Sequence, residues 1–390
     1  MSETKPLNNK NLQFVILYAL GQIFVVAGHC GGGVSLFFDI FPIYQFHVPL
    51  FIFISGYFYK SRNDESIKNL VLYIKKKFLS LIIPLYVWNV IYGLFVQVLR
   101  GKGMEMGYSL FYKDSILIAP LNDGHQFIFN LCSWFLAPLF FTELINSVYR
   151  YVLNFIFKSM KNKELVKDII VCGTFILLGV FDLFICVHIP YAMTLFWKRQ
   201  LVFLSFYGIG TMYKNHLEKY DKLPSFLFFV IVIGLQFIIT MYQGTMHTYS
   251  LATMDGFTMD TGYVRPIIVM CLGILFWLRL SRILVPVIGN SRIVHAIADN
   301  GMSILMHQFL GLMAVKTIFA LLHKYTPLCG NFEMIRYKMD MWYYYYPREI
   351  RLWSLIYIAF GLIIPIAMGI SFKFLKNKLM TIVNEHELIS

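Results

Sequence analysis

The sequence predicts an all-α, polytopic membrane protein of about ten transmembrane helices with both termini in the cytoplasm. Three observations predict it. Of the 390 residues 58% are hydrophobic and only 14% are charged, where a soluble chain carries nearer a quarter. The apolar residues gather into runs, many of them long enough to cross a hydrocarbon core at about 20 residues each. The basic residues behind the formal charge of +13 fall in short segments between those runs, the pattern of charge bias across a membrane. That placement argues against nucleic acid as a partner.

A polar tail, residues 1–11, precedes the first run. That run opens at Leu12 and lacks a small-residue cleavage site, so it reads as a retained span and not as a signal peptide. The expected spans are 12–30, 46–59, 78–99, 131–157, 168–188, 199–213, 224–243, 264–280, 299–323 and 352–374. The second, sixth and eighth are short or interrupted and read as tilted, broken or partly re-entrant. With no internal repeat, low-complexity segment or linker, residues 12–375 read as one transmembrane domain. Residues 376–390 form a second cytoplasmic tail.

An even number of spans puts both termini on one side. The segments on that side hold 22 of the 34 Lys and Arg residues, the opposite side holds 11, and Lys316 lies inside the ninth span. The bias orients the termini to the cytoplasm. The largest outer share falls in the loop from Lys324 to Arg351, which also contains MWYYYYP, Met341 to Pro347. Such a segment suits a membrane interface first and a sugar-stacking surface second. Cys30, Cys132, Cys172, Cys186, Cys271 and Cys329 are scattered without a CxxC spacing, which indicates neither a zinc site nor a disulfide framework.

The sharpest signal is VVAGHCGGGVSLFFDIFPIYQFHVPLFIFISGYFYKSR, Val25 to Arg62. His29 closes the first apolar run and His47 opens the second, both at the outer side. Gly31, Gly32 and Gly33 end the first helix, and Asp39 is placed to orient a histidine. An imidazole takes a proton from a hydroxyl near neutral pH. On residue type alone the plainer reading of the pair is hydrogen-bonded helix ends at the interface. No third ligand sits at metal spacing. Ser55, Tyr57, Asn89, Trp134 and His307 are further candidates for substrate contact, each with a packing role as the plainer reading. Lys75, Lys76, Lys77 and Arg292 are candidates for phosphate binding on the inner face, where positive-inside anchoring explains the lysines as well. Glu143, Asp182 and Lys316 lie inside spans and should face protein.

The stretch from Val25 to Tyr59 resembles the signature of the acyltransferase-3 family of integral membrane acyltransferases, and most closely its fucose-4-O-acetylase-like branch. KKKFLSLIIPLYVWN (Lys75 to Asn89), WFLAPLF (Trp134 to Phe140), FYGIGTMYK (Phe206 to Lys214) and NGMSILMHQF (Asn300 to Phe309) resemble later family segments in the same order. Where many members carry an arginine eleven residues before the first histidine, associated with the acyl donor, this chain has Tyr18. The resemblance implies an O-acetyltransferase of a bacterial plasma membrane, with acetyl-CoA as donor substrate and no bound cofactor or metal. The acceptor it implies is a sugar hydroxyl of a surface polysaccharide or lipid-linked glycan, and polysaccharide-assembly proteins are its implied partners. His29 is then the catalytic base or transient acyl acceptor, and His47 assists. The competing class is a transporter or flippase of a glycan intermediate or small solute, which should show pseudo-symmetric halves; the sequence shows none.

Overall fold

The computed structural model describes residues 11–30, 40–105, 110–125, 127–158, 163–244 and 248–387. Among them the architecture is helical, and the only bridge is an isolated one between Ser250 and Asp255. The main helices are α1 (Leu12–Gly28), α2 (Ile43–Tyr57), α3 (Ile67–Gly101), α4 (Ile128–Ile156), α5 (Lys163–His188), α6 (Leu195–Met212), α7 (Ser225–Gln243), α8 (Arg265–Ile288), α9 (Arg292–Asp299), α10 (Gly301–Tyr325) and α11 (Ser354–Glu387). Gly31, Gly32, Gly33 and Asp39 lie outside the described residues.

Every expected span coincides with one of these helices. Seven of the helices, α3, α4, α5, α7, α8, α10 and α11, are long and apolar enough to cross a membrane, so the chain is a multi-pass membrane protein. The other three are α1 with 17 residues, α2 with 15 and α6 with 18, the last carrying Lys198 and Arg199. Most residues of these three helices are buried against other helices. Thirteen of the fifteen α2 residues are buried. A helix wrapped in other helices need not present an apolar surface to lipid, and that explains their shorter or more polar sequences. The eighth expected span is an uninterrupted helix of 24 residues.

The third expected span starts earlier than its apolar run. Ser66 caps a helix at Ile67, its hydroxyl accepting the Asn69 N–H at 3.2 Å. The amphipathic segment Ile67–Lys77 continues through a π-turn, Phe78–Ile82, into Ile83–Gly101. Pro84 has no N–H for the Ser80 carbonyl, and the wider turn absorbs the mismatch. Lys75, Lys76 and Lys77 therefore sit in the middle of a continuous helix, not at a helix start. At the other end of the chain α11 stays helical to Glu387, well past the limit of the span expected there.

Backbones meet closely between α2 and α6. A Cβ on Gly56 would collide with the Tyr207 carbonyl, and one on Gly210 with the Phe53 carbonyl. The Thr211 hydroxyl crosses the gap to the Gly56 carbonyl at 3.1 Å. Small residues at facing positions permit this approach. The Asn11 amide donates to the Tyr57 hydroxyl at 3.4 Å, so α2 ends beside the start of α1. His29 and His47 consequently lie at the opposite end of this antiparallel pair.

At the Tyr57 end, buried charges tie the helices together. Arg150 of α4 donates to Asp168 of α5 at 2.5 Å, and His216 after α6 meets the same carboxylate at 2.7 Å. Lys167 reaches Asp64 at 3.3 Å. The three intraspan charges do not pair with one another. Glu143 takes Lys77 at 2.5 Å and accepts from the Tyr73 and Tyr207 hydroxyls. Asp182 accepts from the Cys186 thiol at 3.8 Å, and Lys316 donates to the Met341 carbonyl.

Candidate active site

A polar and aromatic stripe on α1 creates the site. Tyr18, Gln22, Val25 and His29 are spaced four, three and four residues apart, which puts them on one helix face. All four line a cavity of about 150 Å³. It follows α1 for about 16 Å at the standard rise. α2 contributes His47, Tyr44 and Phe51 to the same cavity, and α4 contributes Cys132 and Trp134 from its tight 3-10 opening turn, Ile128–Phe135. Ser250 to Ala252 close one wall. Arg199 holds that wall, donating to the Ala252 carbonyl while its guanidinium lies 4.4 Å from the Trp134 ring centroid.

The two histidines share one hydrogen-bonding scheme. Nδ1 of His29 lies 2.7 Å from the Val25 carbonyl, and Nδ1 of His47 lies 2.7 Å from the Ile43 carbonyl. A carbonyl only accepts, so each Nδ1 carries the proton. In the neutral ring Nε2 is then a bare lone pair. Nε2 of His29 faces the Cys132 thiol at 3.7 Å. His47 is buried at 8% exposure, while His29 is half-buried, with the partly exposed Trp342 ring stacked on it at 6.2 Å and 26°. Tyr44 links the pair: its hydroxyl donates to the Gly28 carbonyl at 2.7 Å and its ring meets His47 edge-on at 5.3 Å. Two bare imidazole nitrogens on one apolar cavity can accept a proton from a hydroxyl and return it to a leaving group.

A second, polar cavity of about 680 Å³ lies toward the Tyr57 end. Ser55, Lys60, Arg62, Asn69, Lys76 and Lys77 are among its lining. Its wall is contiguous with the first. Ile54 and Ser80 face the polar cavity, and Phe51 and Leu81, one turn and one residue away, face the histidine cavity. Lys77 is engaged by Glu143; Lys60, Arg62 and Lys76 have no ion-pair partner among the described residues.

The candidates from the sequence thus divide. His29, His47 and Trp134 come together in one cavity. Ser55, Lys76 and Lys77 come together in the other. Tyr57 lies at the α1 start, donating to Glu218 at 2.8 Å and receiving from Lys214 at 3.0 Å. Asn89 donates to the Ser115 and Ile116 carbonyls at 3.1 and 3.0 Å, which anchors the short helix Lys113–Leu117. His307 meets the Tyr92 hydroxyl at 2.6 Å, with its ring against Trp88. Lys75 and Arg292 are exposed and line neither cavity. Among the described residues no group of three or more His, Cys, Asp or Glu stands at metal-binding distance.

Sequence reasoning missed Gln22, Tyr44, Cys132 and Gln308. Gln22 was within reach, since a glutamine four residues after Tyr18 and seven before His29 completes a polar helical stripe. Gln308, fully buried, approaches His29 Nδ1 at 3.2 Å, and no local pattern pairs residues so far apart in sequence. Residues 19–371 match the acyltransferase-3 family model, described as an acyltransferase domain. No curated protein and no solved structure matches the chain.

Proposed function

The chain belongs to the acyltransferase-3 family, a membrane acyltransferase by that membership, and from this premise we propose that it moves an acetyl group from cytoplasmic acetyl-CoA to a sugar hydroxyl at the outer face. The acceptor is a surface polysaccharide or a lipid-linked glycan, as in the fucose-4-O-acetylase-like branch. The reading includes ten crossings, cytoplasmic termini and a bacterial plasma membrane. The observation that carries it is the pair of bare Nε2 atoms on one cavity that abuts a basic one.

In this reading the polar cavity faces the cytoplasm and receives the phosphates of CoA at Lys60, Arg62 and Lys76. The thioester arm passes Phe51 and Leu81 into the histidine cavity. Tyr18 stands at the inner part of that passage, where an aromatic ring in edge contact with Phe51 at 5.3 Å replaces a cation. Phosphate binding then falls to the basic residues of the polar cavity. Nε2 of His29 takes the proton of the sugar hydroxyl as its oxygen attacks the thioester carbonyl. The tetrahedral centre collapses, the C–S bond breaks, and the imidazolium returns the proton to the departing CoA thiolate. His47 holds the carbonyl or shares the proton. Donor and acceptor meet in one ternary complex, so no acyl group needs to be carried on the protein.

The test is transfer of labelled acetyl to envelope glycan by membranes containing His29→Ala or His47→Ala protein. General-base loss lowers transfer by about 10²–10⁴-fold, with expression unchanged. Undiminished transfer in both variants sinks the catalytic assignment. Protein-dependent solute flux without any acetyl transfer points to the transporter instead.

A further inference from the structure

One buried polar atom on the histidine cavity has nothing to bind. Gln22 lines the cavity at 3% exposure, and its Oε1 has no hydrogen-bond partner among the described residues. A buried acceptor left bare is costly, so such an atom marks a place where a donor can arrive. The polar neighbours are accounted for. Each imidazole spends Nδ1 on the carbonyl four residues back, and the Tyr44 hydroxyl donates to Gly28. Val25, Val48, Phe51, Leu139 and Leu305 supply apolar wall and no side-chain donor.

The place of Gln22 along α1 says which donor. His29 lies seven residues on, on the same face and about 10 Å further from the Tyr57 end at the helical rise. Tyr18 lies one turn the other way, its ring edge-on to Phe51 and packed against Gly301 at the start of α10. An arm entering past Tyr18 and Phe51 therefore meets Gln22 before its tip reaches His29. In a CoA thioester the first polar group behind the sulfur is a secondary amide. Its nitrogen stands four bonds from the thioester carbonyl carbon, about 5 Å when extended. The attacking hydroxyl adds about 3 Å. With a hydrogen bond of about 3 Å at each end, a bent arm covers the two turns between Gln22 and His29.

We propose that Gln22 reads the donor: its Oε1 accepts the N–H of the pantetheine amide nearest the sulfur, and so sets how far the acetyl group advances toward His29. This inference rests on the acyl-transfer reading for the presence of CoA. No bond is made or broken at Gln22. An acyl donor without that amide, such as acetyl phosphate, forgoes the contact.

Two probes test it on the full-length protein in lipid nanodiscs: CoA, and a CoA analogue with a methylene in place of that N–H. Binding is measured by calorimetry, and acetyl transfer to glycan is measured with the acetylated form of each. The unaltered protein should bind CoA about five- to tenfold more tightly than the analogue, the worth of one hydrogen bond. The same ratio should appear in donor kcat/KM, with acceptor KM unchanged. That comparison needs no variant, so a folding defect cannot mimic it. Gln22→Met, which keeps the volume and removes the acceptor, should bind the two probes alike. Equal binding of the two probes by the unaltered protein, or binding of neither, overturns the assignment. So does a preference for CoA that survives in Gln22→Met. A preference that depends on Gln22 in a protein that transfers no acetyl group keeps the assignment and overturns the transferase reading. Acetyl transfer that uses both donors equally does the reverse.

Discussion

Gln308 Oε1 lies 3.2 Å from Nδ1 of His29, whereas its neighbour His307 turns to the other side of α10 and meets Tyr92. One residue along a helix is a rotation of about 100°. That rotation separates the residue that meets the His29 imidazole, the base in the proposed reaction, from the residue that meets Tyr92. Gln308 and the Val25 carbonyl share the Nδ1 proton and keep the other nitrogen bare.

Gln308→Leu removes one of the two acceptors for that proton. A single hydrogen bond contributes about 1 kcal/mol, so kcat should fall roughly fivefold with donor KM unchanged. His307→Phe leaves the buried Tyr92 hydroxyl without its partner and should cost about 1–3 kcal/mol of stability. Turnover per folded molecule should be unaffected. Thermal unfolding in detergent together with steady-state kinetics separates the two. Equal kinetic damage from both variants contradicts the division of roles.

Basic residues in the polar cavity should show themselves through the donor. Lys76→Ala is expected to raise the KM for acetyl-CoA about tenfold, the worth of one charge-assisted hydrogen bond to phosphate. The effect should shrink as salt is added. Lys75→Ala and Arg292→Ala serve as controls, because both side chains lie outside the cavity. A donor KM that responds equally to all three substitutions indicates a diffuse surface potential in place of a site.

Close approach of α2 and α6 depends on two glycines. Gly56→Ala and Gly210→Ala each drive a methyl into a backbone carbonyl that no rotamer change can move aside. Each should cost about 1–3 kcal/mol. Gly173→Ala, on the open face of α5 with nothing near its Cβ position, should be neutral or stabilising by about 0.5–1 kcal/mol. The three melting temperatures should rank accordingly.

The Arg150–Asp168 pair is buried on both sides at 2% and 1% exposure. Asp168→Leu strands the guanidinium and should cost about 3–5 kcal/mol. Arg150→Met combined with Asp168→Leu should recover much of that loss, since a buried pair replaced by apolar residues is often neutral. A double variant as unstable as the single one points to His216 and Asn215, which also meet Asp168, as the partners that matter.

Helices were legible where hydrophobicity alone decides. The runs around α4, α5, α7 and α10 are apolar enough to be read directly, and the histidines stood out because polar groups in such runs are costly. The start of α3 was not legible from hydropathy, because Ile67–Lys77 is amphipathic and its signal is the Ser66 cap. The site was legible for His29, His47 and Trp134, while their neighbours Gln22, Tyr44, Cys132 and Gln308 were not singled out. Cys132 reaches His29 from a 3-10 turn whose direction no periodicity reveals, and Gln308 and Trp342 arrive from the far end of the chain. Lysines 75 to 77 look alike in sequence, yet rotation about the helix sends one to Glu143 and the polar cavity, one to the cavity alone and one to neither.

The ties of His29 to Gln308 and to Trp342 order events during biosynthesis. A ribosome delivers α1 and α2 first, so both imidazoles are inserted when most of the chain is still unmade. Gln308 and Trp342 emerge only with the last quarter of the protein. Until then the Nδ1 proton of His29 has one acceptor in place of two, and its ring has no roof. A nascent or prematurely terminated chain therefore carries the complete histidine signature and an unfinished centre. Premature stops that spare the signature should yield membrane-inserted but idle polypeptide.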